Sequence, residues 1–347
     1  FYKRNNNKQT IWVHAVSYGE VNAAQSLVSS LLNENPNHQV IFTCTTPTGS
    51  ALIKELFEDK VVNVYLPYDL KGPVKRFFQW AKPKVAIIIE TEIWPNIFHH
   101  CGRKEIPLII DLKEVKELNF IKVNKNYLEI GAATPLIKFE NEIKKYYPDF
   151  YSVLKRYGSV QIRNVGTIGG NIATASPIGD SLPILLSLNA EVLIESFNER
   201  KVLPINNFFI DYRKTKLKKT EFIRSIKIPL FKKNIFKAFK ISKRFDDDIS
   251  SVCGSFNFEI NNNKIKEVYI AYGGMAAIPK RAKACEKILK NKPLTLNTFD
   301  QAKNYLEKDL SPIGDMRASK EYRLEIAKNL LMKCFVEINS NNLIRVN

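Results

Sequence analysis

The sequence predicts two folds in series: an α/β unit with a doubly wound parallel sheet over residues 1–110, then an α+β region from residue 111 onward. Three observations support this division. Strand and helix patterns alternate up to residue 110, which is typical of a parallel sheet covered by helices. Beyond that point strands cluster together and helices gather towards the end, as in α+β folds. The length of 347 residues also exceeds what one hydrophobic core usually supports.

The first region alternates short apolar runs with amphipathic stretches. The apolar runs predict strands over 11–16, 40–44, 61–66, 85–89 and 108–110. Apolar residues at helical spacing predict helices over 20–33, 49–57, 74–81 and 94–102. Functional residues in such sheets collect where strands reach their carboxyl ends. Here those ends are the segments 17–20, 45–49 and 90–92.

The second region follows a different order. It begins with a predicted strand, a helix broken at Pro148, a glycine-rich loop and a short helix, over 127–132, 140–157, 166–181 and 182–188. Strands follow over 191–196, 221–228, 251–260 and 267–272, and Asn261-Asn262-Asn263 predicts a hairpin turn between the last two. The final helices are predicted over 280–290, 300–309 and 320–339. We therefore expect a domain over 111–235 and a C-terminal subdomain of helices and sheet over 236–347.

The glycine-rich loop, residues 166–181, is the most informative stretch of the chain. Gly166, Gly169 and Gly170 can adopt positive φ and bring main-chain N–H groups close to a ligand. Consecutive N–H groups in such a turn form a nest for an anion, typically a phosphate. Further polar groups are available from Thr167, Asn171, Thr174, Ser176 and Asp180, the last suited to a ribose hydroxyl. An ordinary glycine turn is the alternative interpretation.

The net charge of +18 raises the question of a nucleic-acid partner. The lysines are scattered singly among Asn and Ile, as in Asn234-Ile235-Phe236-Lys237, and no aromatic-basic recognition motif occurs. This pattern indicates compositional drift, so we predict no nucleic-acid binding.

The five cysteines lie far apart, without C-x-x-C spacing. That spacing argues against zinc or an iron–sulfur cluster held within this chain. We interpret the thiols as reduced core residues of a cytoplasmic protein. No apolar run has the length of a membrane span.

Five blocks in the second region resemble the FAD-binding domain of molybdenum hydroxylases, the xanthine dehydrogenase and CO dehydrogenase flavoprotein family. These blocks are residues 128–134, 161–181, 239–250, 271–276 and 315–323. The resemblance is strongest to the bacterial xanthine dehydrogenase small subunit. It implies that the chain binds FAD beside a molybdenum-cofactor subunit and a 2Fe-2S module, and passes electrons from iron–sulfur clusters through FAD to NAD.

The same resemblance implies the cofactor-binding residues. Those matching positions at the FAD pyrophosphate and ribityl chain are Thr167, Gly169, Gly170, Asn171 and Thr174. Asp180 matches a position near the cofactor's sugar, and Tyr157 one near its adenine end. Ile223 and Lys240 match positions that flank the flavin, where a cation stabilises the reduced ring. For Lys240 alone, a solvated surface lysine is the alternative.

The aspartate run Asp246-Asp247-Asp248 raises the question of a metal. Three adjacent carboxylates on one strand cannot converge on one ion, because successive side chains point to opposite faces. We predict a loop and capping role instead, and no metal site.

Residues 8–110 resemble a different family, the N-terminal domain of Kdo (3-deoxy-D-manno-octulosonic acid) transferase, which is half of a GT-B glycosyltransferase. The blocks are residues 11–24, 45–50, 65–70 and 90–96. This resemblance implies that Glu20 is the catalytic general base on a lipid A acceptor, at a helix N-terminus that keeps it ionised. A helix-capping carboxylate is the alternative. Glu90 and Glu92 are further acid/base candidates, and we interpret His14 as structural.

Both resemblances are incomplete. Compared with its family, the transferase-like region lacks the domain that binds the CMP-Kdo donor. It also lacks the hydrophobic anchor that underlies the family's inner-membrane association. The flavoprotein-like region lacks an opening segment with another glycine-rich phosphate loop. The chain passes from one family to the other near residues 107–112, which indicates a fusion. Three functions therefore stay open: an FAD-binding electron-transfer component, a Kdo transferase fragment, and an inactive fusion.

Overall fold

The computed structural model describes residues 4–5, 7–89, 94–110, 115–218 and 220–339, with only the backbone of residues 109 and 110. Contacts between residues divide the chain into two compact units, Phe1–Val115 and Lys116–Asn347. We call these the first unit and the second unit and describe each by itself.

The first unit is built on a five-stranded parallel sheet in the order β3-β2-β1-β4-β5. Its strands are β1 (Gln9–His14), β2 (His38–Cys44), β3 (Val61–Tyr65), β4 (Pro83–Ile88) and β5 (Leu108–Ile110). Its helices are α1 (Tyr18–Glu34), α2 (Pro47–Phe57), α3 (Lys71–Ala81) and α4 (Pro95–Arg103). The doubly wound parallel sheet predicted from the sequence is confirmed.

The central strand β1 explains why helices cover both faces of this sheet. Side chains alternate along a strand, so Val13 packs into one apolar cluster and Trp12 into the other. Each face must be covered because both rows are apolar. Because these strands are parallel, the carboxyl ends of β1, β2 and β4 lie along one edge of the sheet.

The described residues of the second unit form three sheets. The largest has five antiparallel strands in the order β6-β7-β12-β8-β9: β6 (Ile121–Val123), β7 (Tyr127–Gly131), β8 (Glu191–Glu195), β9 (Arg200–Pro204) and β12 (Phe222–Pro229). A small hairpin joins β10 (Phe209–Asp211) to β11 (Lys214–Thr215). The third sheet is antiparallel and contains β13 (Asn234–Ile241), β14 (Val252–Asn261), β15 (Lys264–Gly273) and β16 (Lys280–Arg281).

Helices of the second unit pack on these sheets. They are α5 (Leu136–Ile143), α6 (Pro148–Lys155), α7 (Val160–Val165), α8 (Ile168–Thr174), α9 (Ser181–Ser187), α10 (Lys283–Leu289), α11 (Leu296–Lys303), α12 (Leu306–Asp309) and α13 (Lys320–Asn339). The break predicted at Pro148 is present, since α6 begins there. The hairpin turn is also confirmed, because Asn262 and Asn263 both have positive φ between β14 and β15.

Each part of the second unit has its own apolar cluster. One cluster surrounds β7, β8 and β12 with α5, α6, α8 and α9, and another joins β14 and β15 to α10, α11 and α13. All five cysteines are free and buried, as predicted. Among the described residues, no helix combines the length and hydropathy that crossing a membrane requires.

Candidate functional site

The second unit contains a cavity of about 550 Å³, within the usual size of ligand pockets. It is walled by the segment from Tyr157 to Asp180, by β13 and by the loop before β14. Its lining includes seven predicted cofactor-binding residues: Tyr157, Thr167, Gly170, Asn171, Thr174, Asp180 and Lys240. The fold therefore brings together residues up to 83 positions apart in the chain.

The predicted glycine loop is largely helical, because α8 occupies its centre. Thr167 is the N-cap of α8, and its Oγ1 accepts a hydrogen bond from the Gly170 N–H at 3.0 Å. The Gly169 N–H donates to the Ala132 carbonyl at 3.0 Å, and the Asn171 N–H to the Thr167 carbonyl. These amides are thus bonded within the protein rather than presented to an anion.

Gly166, Gly169 and Gly170 can adopt positive φ, but none of the three does so in the structure. Gly166 has φ −63°, and among the described glycines only Gly158 and Gly274 have positive φ. Gly169 is required for a close approach instead. A Cβ placed there would lie 2.5 Å from the Ala132 Cβ and 2.6 Å from the Ala132 carbonyl oxygen.

Gly170 is placed differently from Gly169. It lies on the cavity side of α8, and the nearest atom to an added Cβ is the Thr167 Oγ1 at 3.0 Å. Thr174, one turn later, donates from Oγ1 to the Gly170 carbonyl at 2.8 Å. The two glycines therefore have separate roles, one in packing against the strand and one in keeping the cavity open.

A chain of polar side chains crosses the cavity wall. The Asn171 Nδ2 donates to the Tyr157 hydroxyl at 2.6 Å, and the Ser181 hydroxyl donates to the Asn171 Oδ1 at 2.5 Å. Burial raises the pKa of Tyr157 to about 12, and the charge of Asp180 adds to this. The tyrosine therefore stays neutral and keeps its hydroxyl proton in the physiological range.

A buried ion pair forms the floor of the cavity. The Lys240 Nζ lies 2.7 Å from the Asp180 Oδ2, and both side chains are less than 5% exposed. The Ser250 hydroxyl donates to the other carboxylate oxygen at 2.5 Å. Lys240 is thus not a solvated surface lysine, and its charge is balanced within the protein by Asp180.

Ile223 does not line the cavity. It lies on β12, is 6% exposed and packs in the same apolar cluster as Ile168 and Ile172 of α8. Ile223, which the resemblance assigns to the flavin wall, therefore packs against α8 in the apolar core and not on the cavity surface.

Sequence reasoning missed several residues around the cavity. Ser250 lies at the end of the segment 239–250 that resembles the flavoprotein family, yet only the structure shows its bond to Asp180. Arg213, at the turn of the β10–β11 hairpin, also lines the cavity, and its positive φ of 52° marks the turn. Asp247 and Asp248 both line the cavity, and Asp248 also accepts from the N–H groups of Arg244 and Ile249. That capping role is the one predicted for the aspartate run.

In the first unit, Glu20 lies in the first turn of α1 and is 9% exposed. Its Oε2 accepts from the Val16 N–H at 2.5 Å, and its Oε1 accepts from the Ser17 hydroxyl at 3.1 Å. Ser17 is the N-cap of α1, but its side chain makes no capping bond to the helix, so the reciprocal bonds of a capping box are not formed. Both carboxylate oxygens are therefore engaged at the helix terminus, as in the capping alternative.

The neighbouring histidine is buried in the sheet. The His14 Nδ1 lies 2.8 Å from the Thr43 Oγ1, and that hydroxyl accepts from the Trp12 indole N–H at 2.9 Å. Burial lowers the pKa of His14 to about 4 against the opposing effect of its hydrogen bond to the Thr43 backbone. A neutral, buried ring agrees with the structural interpretation. The other acid/base candidates, Glu90 and Glu92, lie outside the described residues.

Two family models together cover most of the second unit, and the first of them begins near the end of the first unit. "FAD binding domain in molybdopterin dehydrogenase" covers residues 97–231, and "CO dehydrogenase flavoprotein C-terminal domain" covers residues 237–338. The glyceraldehyde dehydrogenase medium chain of Sulfolobus acidocaldarius is 31% identical over 235 residues, which are 66% of this chain and 82% of that protein. The chain belongs to the flavoprotein family of the molybdopterin dehydrogenases. The nicotinate dehydrogenase FAD-subunit of Eubacterium barkeri is 29% identical over 67% of this chain and 80% of its own.

Solved structures support the same fold for this flavoprotein. A carbon monoxide dehydrogenase chain from Hydrogenophaga pseudoflava aligns with a TM-score of 0.63 at 18% identity, over 94% of this chain and 96% of its own. A chain of quinoline 2-oxidoreductase from Pseudomonas putida aligns with a TM-score of 0.63 at 20% identity, over 80% and 96% of the two chains. The predicted fold, an α/β unit followed by an α+β FAD-binding region, is confirmed.

The first unit of the flavoprotein matches a second family. The model "3-Deoxy-D-manno-octulosonic-acid transferase (kdotransferase)" covers residues 1–111. The Haemophilus influenzae enzyme of that name is 44% identical over 102 residues, which are 29% of this chain and 24% of that enzyme. The chain spans about a quarter of this relative. The predicted combination of two families in one chain is confirmed, and residues 97–111 match both models.

FAD is the cofactor of this flavoprotein family, and the cavity fits it. Neutral donors on α8, an ion pair on the floor and the exposed Arg213 at the mouth offer partners for hydroxyl and phosphate oxygens. A cavity of about 550 Å³ with an apolar wall that includes Leu136, Ile162 and Ile178 also suits a large planar ligand.

Proposed function

We propose that the second unit holds FAD as the electron-transfer component of a molybdenum-containing dehydrogenase of the xanthine dehydrogenase type. The observation that carries this proposal is the single cavity lined by Tyr157, Asn171, Asp180 and Lys240, although they come from separate elements. Bound FAD supplies the acceptance and release of electrons. The protein's part is to bind, orient and shield the cofactor.

The proposed roles follow from the local chemistry. Thr167, Gly170, Asn171 and Thr174 face the pyrophosphate and ribityl chain, while Gly169 supports them by packing α8 against Ala132. Asp180 accepts from a sugar hydroxyl through a second lone pair of its carboxylate, and Tyr157 lies at the adenine end. Lys240 forms the flavin side, with its charge shared with Asp180, and Ile223 supports that side from the apolar cluster that packs against α8. We add Arg213 as a cation for the diphosphate.

The proposed partners are a molybdenum-cofactor subunit and a 2Fe-2S module, with NAD as the final electron acceptor. The names of the relatives support this, since a medium chain and an FAD-subunit belong to larger assemblies. We also propose a reducing, cytoplasmic compartment, which five unpaired buried thiols favour.

The test of FAD binding is a fluorescence titration of the purified full chain with FAD. The informative variant is Asn171→Leu, which keeps the side-chain size and removes the bonds to Tyr157 and Ser181. The variant also removes the polar group proposed to face the pyrophosphate and ribityl chain, and at about 1.5 kcal/mol for one lost bond we expect the Kd for FAD to rise roughly tenfold. Asn304→Leu at the end of α11 is the matched control and should leave the Kd unchanged. A wild-type chain that gives no saturable signal contradicts the proposal.

Electron transfer to NAD has a separate test. NADH added to the FAD-loaded chain without oxygen should bleach the visible flavin absorbance, because the transfer is reversible. Bleaching by dithionite but not by NADH would assign the electron acceptor to another class.

A Kdo transferase fragment acting on lipid A is the second candidate function. It is favoured by a cavity of about 400 Å³ in the first unit, lined by Thr45, Tyr65, Tyr68 and Trp94 near the ends of β2 and β3. If this function holds, the chain transfers Kdo from CMP-Kdo to lipid A and Glu20→Gln abolishes the transfer. An inactive fusion is the remaining outcome, and it is favoured if neither FAD nor lipid A raises the melting temperature.

A further inference from the structure

Arg323 is an unusually buried charge in the second unit. It lies in the first turn of α13, and its side chain is 2% exposed. One guanidinium nitrogen, Nη1, donates to the carbonyls of Ser251 and Gly274, the latter at 3.0 Å. The other, Nη2, donates to the Asp315 Oδ1 at 2.8 Å. The Nε has no hydrogen-bond partner within the described part of the chain.

Both carbonyls lie one step from the floor of the cavity. Ser251 follows Ser250, whose hydroxyl donates to Asp180 at 2.5 Å. The Gly274 N–H donates to the Pro177 carbonyl at 2.7 Å, three residues before Asp180. Arg323 therefore bridges two strand ends, and each of them contacts the segment 176–180.

The backbone around this contact leaves no room for a larger residue. Gly274 has φ 79°, and a Cβ there would lie 2.5 Å from the Ser251 carbonyl oxygen and 2.9 Å from the Arg323 Nη1. Gly273 is also close-packed, with an added Cβ at 3.3 Å from the Pro177 carbonyl oxygen. The sequence Gly273-Gly274 thus allows the guanidinium to reach both carbonyls.

Stability alone does not explain an arginine at this position. A buried charge requires full compensation, and well-packed apolar residues often replace buried ion pairs without loss. Arg323 leaves one donor unpaired, and its carboxylate partner Asp315 is 36% exposed. Burial favours the neutral form of Asp315, yet hydrogen bonds from Arg317, Arg323 and Ala318 lower its pKa to about 2. The carboxylate therefore remains charged beside the guanidinium.

We infer that Arg323 is a positioning residue of the cofactor site, holding the carbonyls of Ser251 and Gly274 so that the segment 176–180 presents Asp180 to the cavity. The effect of Arg323 on FAD binding rests on the proposed function. Its effect on the position of the segment 176–180 does not, because that position is a property of the ligand-free protein.

The first test measures the segment directly. Hydrogen exchange of the ligand-free chain reports the amides of Gly179, Leu182 and Gly274, which are bonded to Ser176, Gly179 and Pro177. We expect Arg323→Lys to accelerate exchange of these amides at least tenfold. Glu337→Gln, on the same helix and also within an ion pair, is the matched control and should leave them unchanged. Equal exchange in the two variants overturns the inference.

The second test asks whether Arg323 acts through Asp180. We expect Arg323→Lys to raise the Kd for FAD at least tenfold when Asp180 is present. In an Asp180→Asn background it should add less than twofold, because residues acting through one another are not additive. Full additivity of the two changes overturns the inference. A wild-type chain that does not bind FAD removes the proposed function, while the exchange data still decide the role of Arg323.

A milder variant covers the case in which Arg323→Lys does not fold. Asp315→Asn keeps the guanidinium and weakens its anchoring. We expect it to accelerate exchange at Gly179 and Gly274 about threefold to fivefold, with unchanged exchange in α11. No change at those two amides overturns the inference.

Discussion

Glu20 in the first unit and Asp180 in the second unit are the acidic residues to which the two family resemblances assign a role, and their hydrogen-bond partners differ in origin. In the first unit, Glu20 has both carboxylate oxygens engaged near its own helix terminus, by Val16 and Ser17. In the second unit, Asp180 is paired with Lys240 and Ser250, which come from distant segments, and it lines a cavity. Local bonds are enough to explain Glu20. Asp180 depends on long-range contacts that no helix cap requires, which is why the second unit carries the proposed function.

The largest effect should come from breaking the buried pair of the second unit. Asp180→Asn leaves the Lys240 charge uncompensated at 2% side-chain exposure, and removing one partner of a buried pair costs about 3–5 kcal/mol. Urea unfolding followed by far-UV circular dichroism measures the loss. The double variant Asp180→Asn with Lys240→Met should recover a large part of it, because no isolated charge remains. A single variant as stable as the wild type would remove the contrast with Glu20.

The next largest effect is the loss of stability of the first unit as the pH falls. The pKa of His14 is lowered to about 4 by burial, below the value of 6.5 in an unfolded chain. Its contribution is therefore complete above pH 6.5 and is lost as the pH falls from 6.5 towards 4. At about 1.4 kcal/mol for each pKa unit, the loss is about 3.5 kcal/mol. Asp315 in the second unit, with its pKa lowered to about 2, acts in the same sense but at lower pH.

Tryptophan fluorescence measures this acid response, since all three tryptophans, Trp12, Trp80 and Trp94, belong to the first unit. The midpoint of urea unfolding should fall between pH 6.5 and pH 4. His14→Gln should flatten this dependence, while the exposed His99→Gln should preserve it. A wild-type profile that is flat over this range would contradict the burial argument.

The fold was more predictable than the site, for a physical reason. Strands and helices of the first unit follow from apolar periodicity, and α13 was predicted with its observed ends, 320–339. The strand β13 was missed because its polar residues, Asn234, Lys237 and Lys240, recur at every third position, whereas a strand is predicted from alternation at every second. The site was missed in its details because the bonds of Asp180 join residues 60 and 70 positions away. Local patterns carry no information on such pairs.

The glycines of residues 166–170 do not form the anion-binding turn that the sequence predicted. These glycines predicted a turn whose main-chain N–H groups face an anion, yet the local sequence Thr167-Ile168-Gly169-Gly170 starts a capped helix. Gly169 is needed because β7 ends against α8 at Ala132, a tertiary contact. Composition alone does not separate a glycine that turns the chain from one that packs against a strand.

That distinction gives a prediction of intermediate size. Gly169→Ala forces a Cβ to within 2.6 Å of the Ala132 carbonyl oxygen, and such overpacking costs about 1–3 kcal/mol. The shift of α8 should also weaken FAD binding about tenfold or more. Gly170→Ala, one residue further, meets only the Thr167 Oγ1 at 3.0 Å and should change the unfolding free energy by less than about 1 kcal/mol. Thermal unfolding of both variants measures the difference in stability, FAD titration of Gly169→Ala measures its binding, and equal losses of unfolding free energy would contradict the packing role.

The smallest effect is expected at Glu20, and it tests the comparison most directly. Glu20→Gln keeps an acceptor for the Val16 N–H but removes the charge from the first turn of α1, which should cost about 0.3–1 kcal/mol. Ser17→Ala removes the hydroxyl that donates to the same carboxylate and should cost a similar amount. If Glu20 acts only as a cap, the two losses match and lipid A affects neither variant. If Glu20→Gln leaves the melting temperature unchanged but abolishes stabilisation by lipid A, the carboxylate serves an acceptor, and the first unit contains a working site after all.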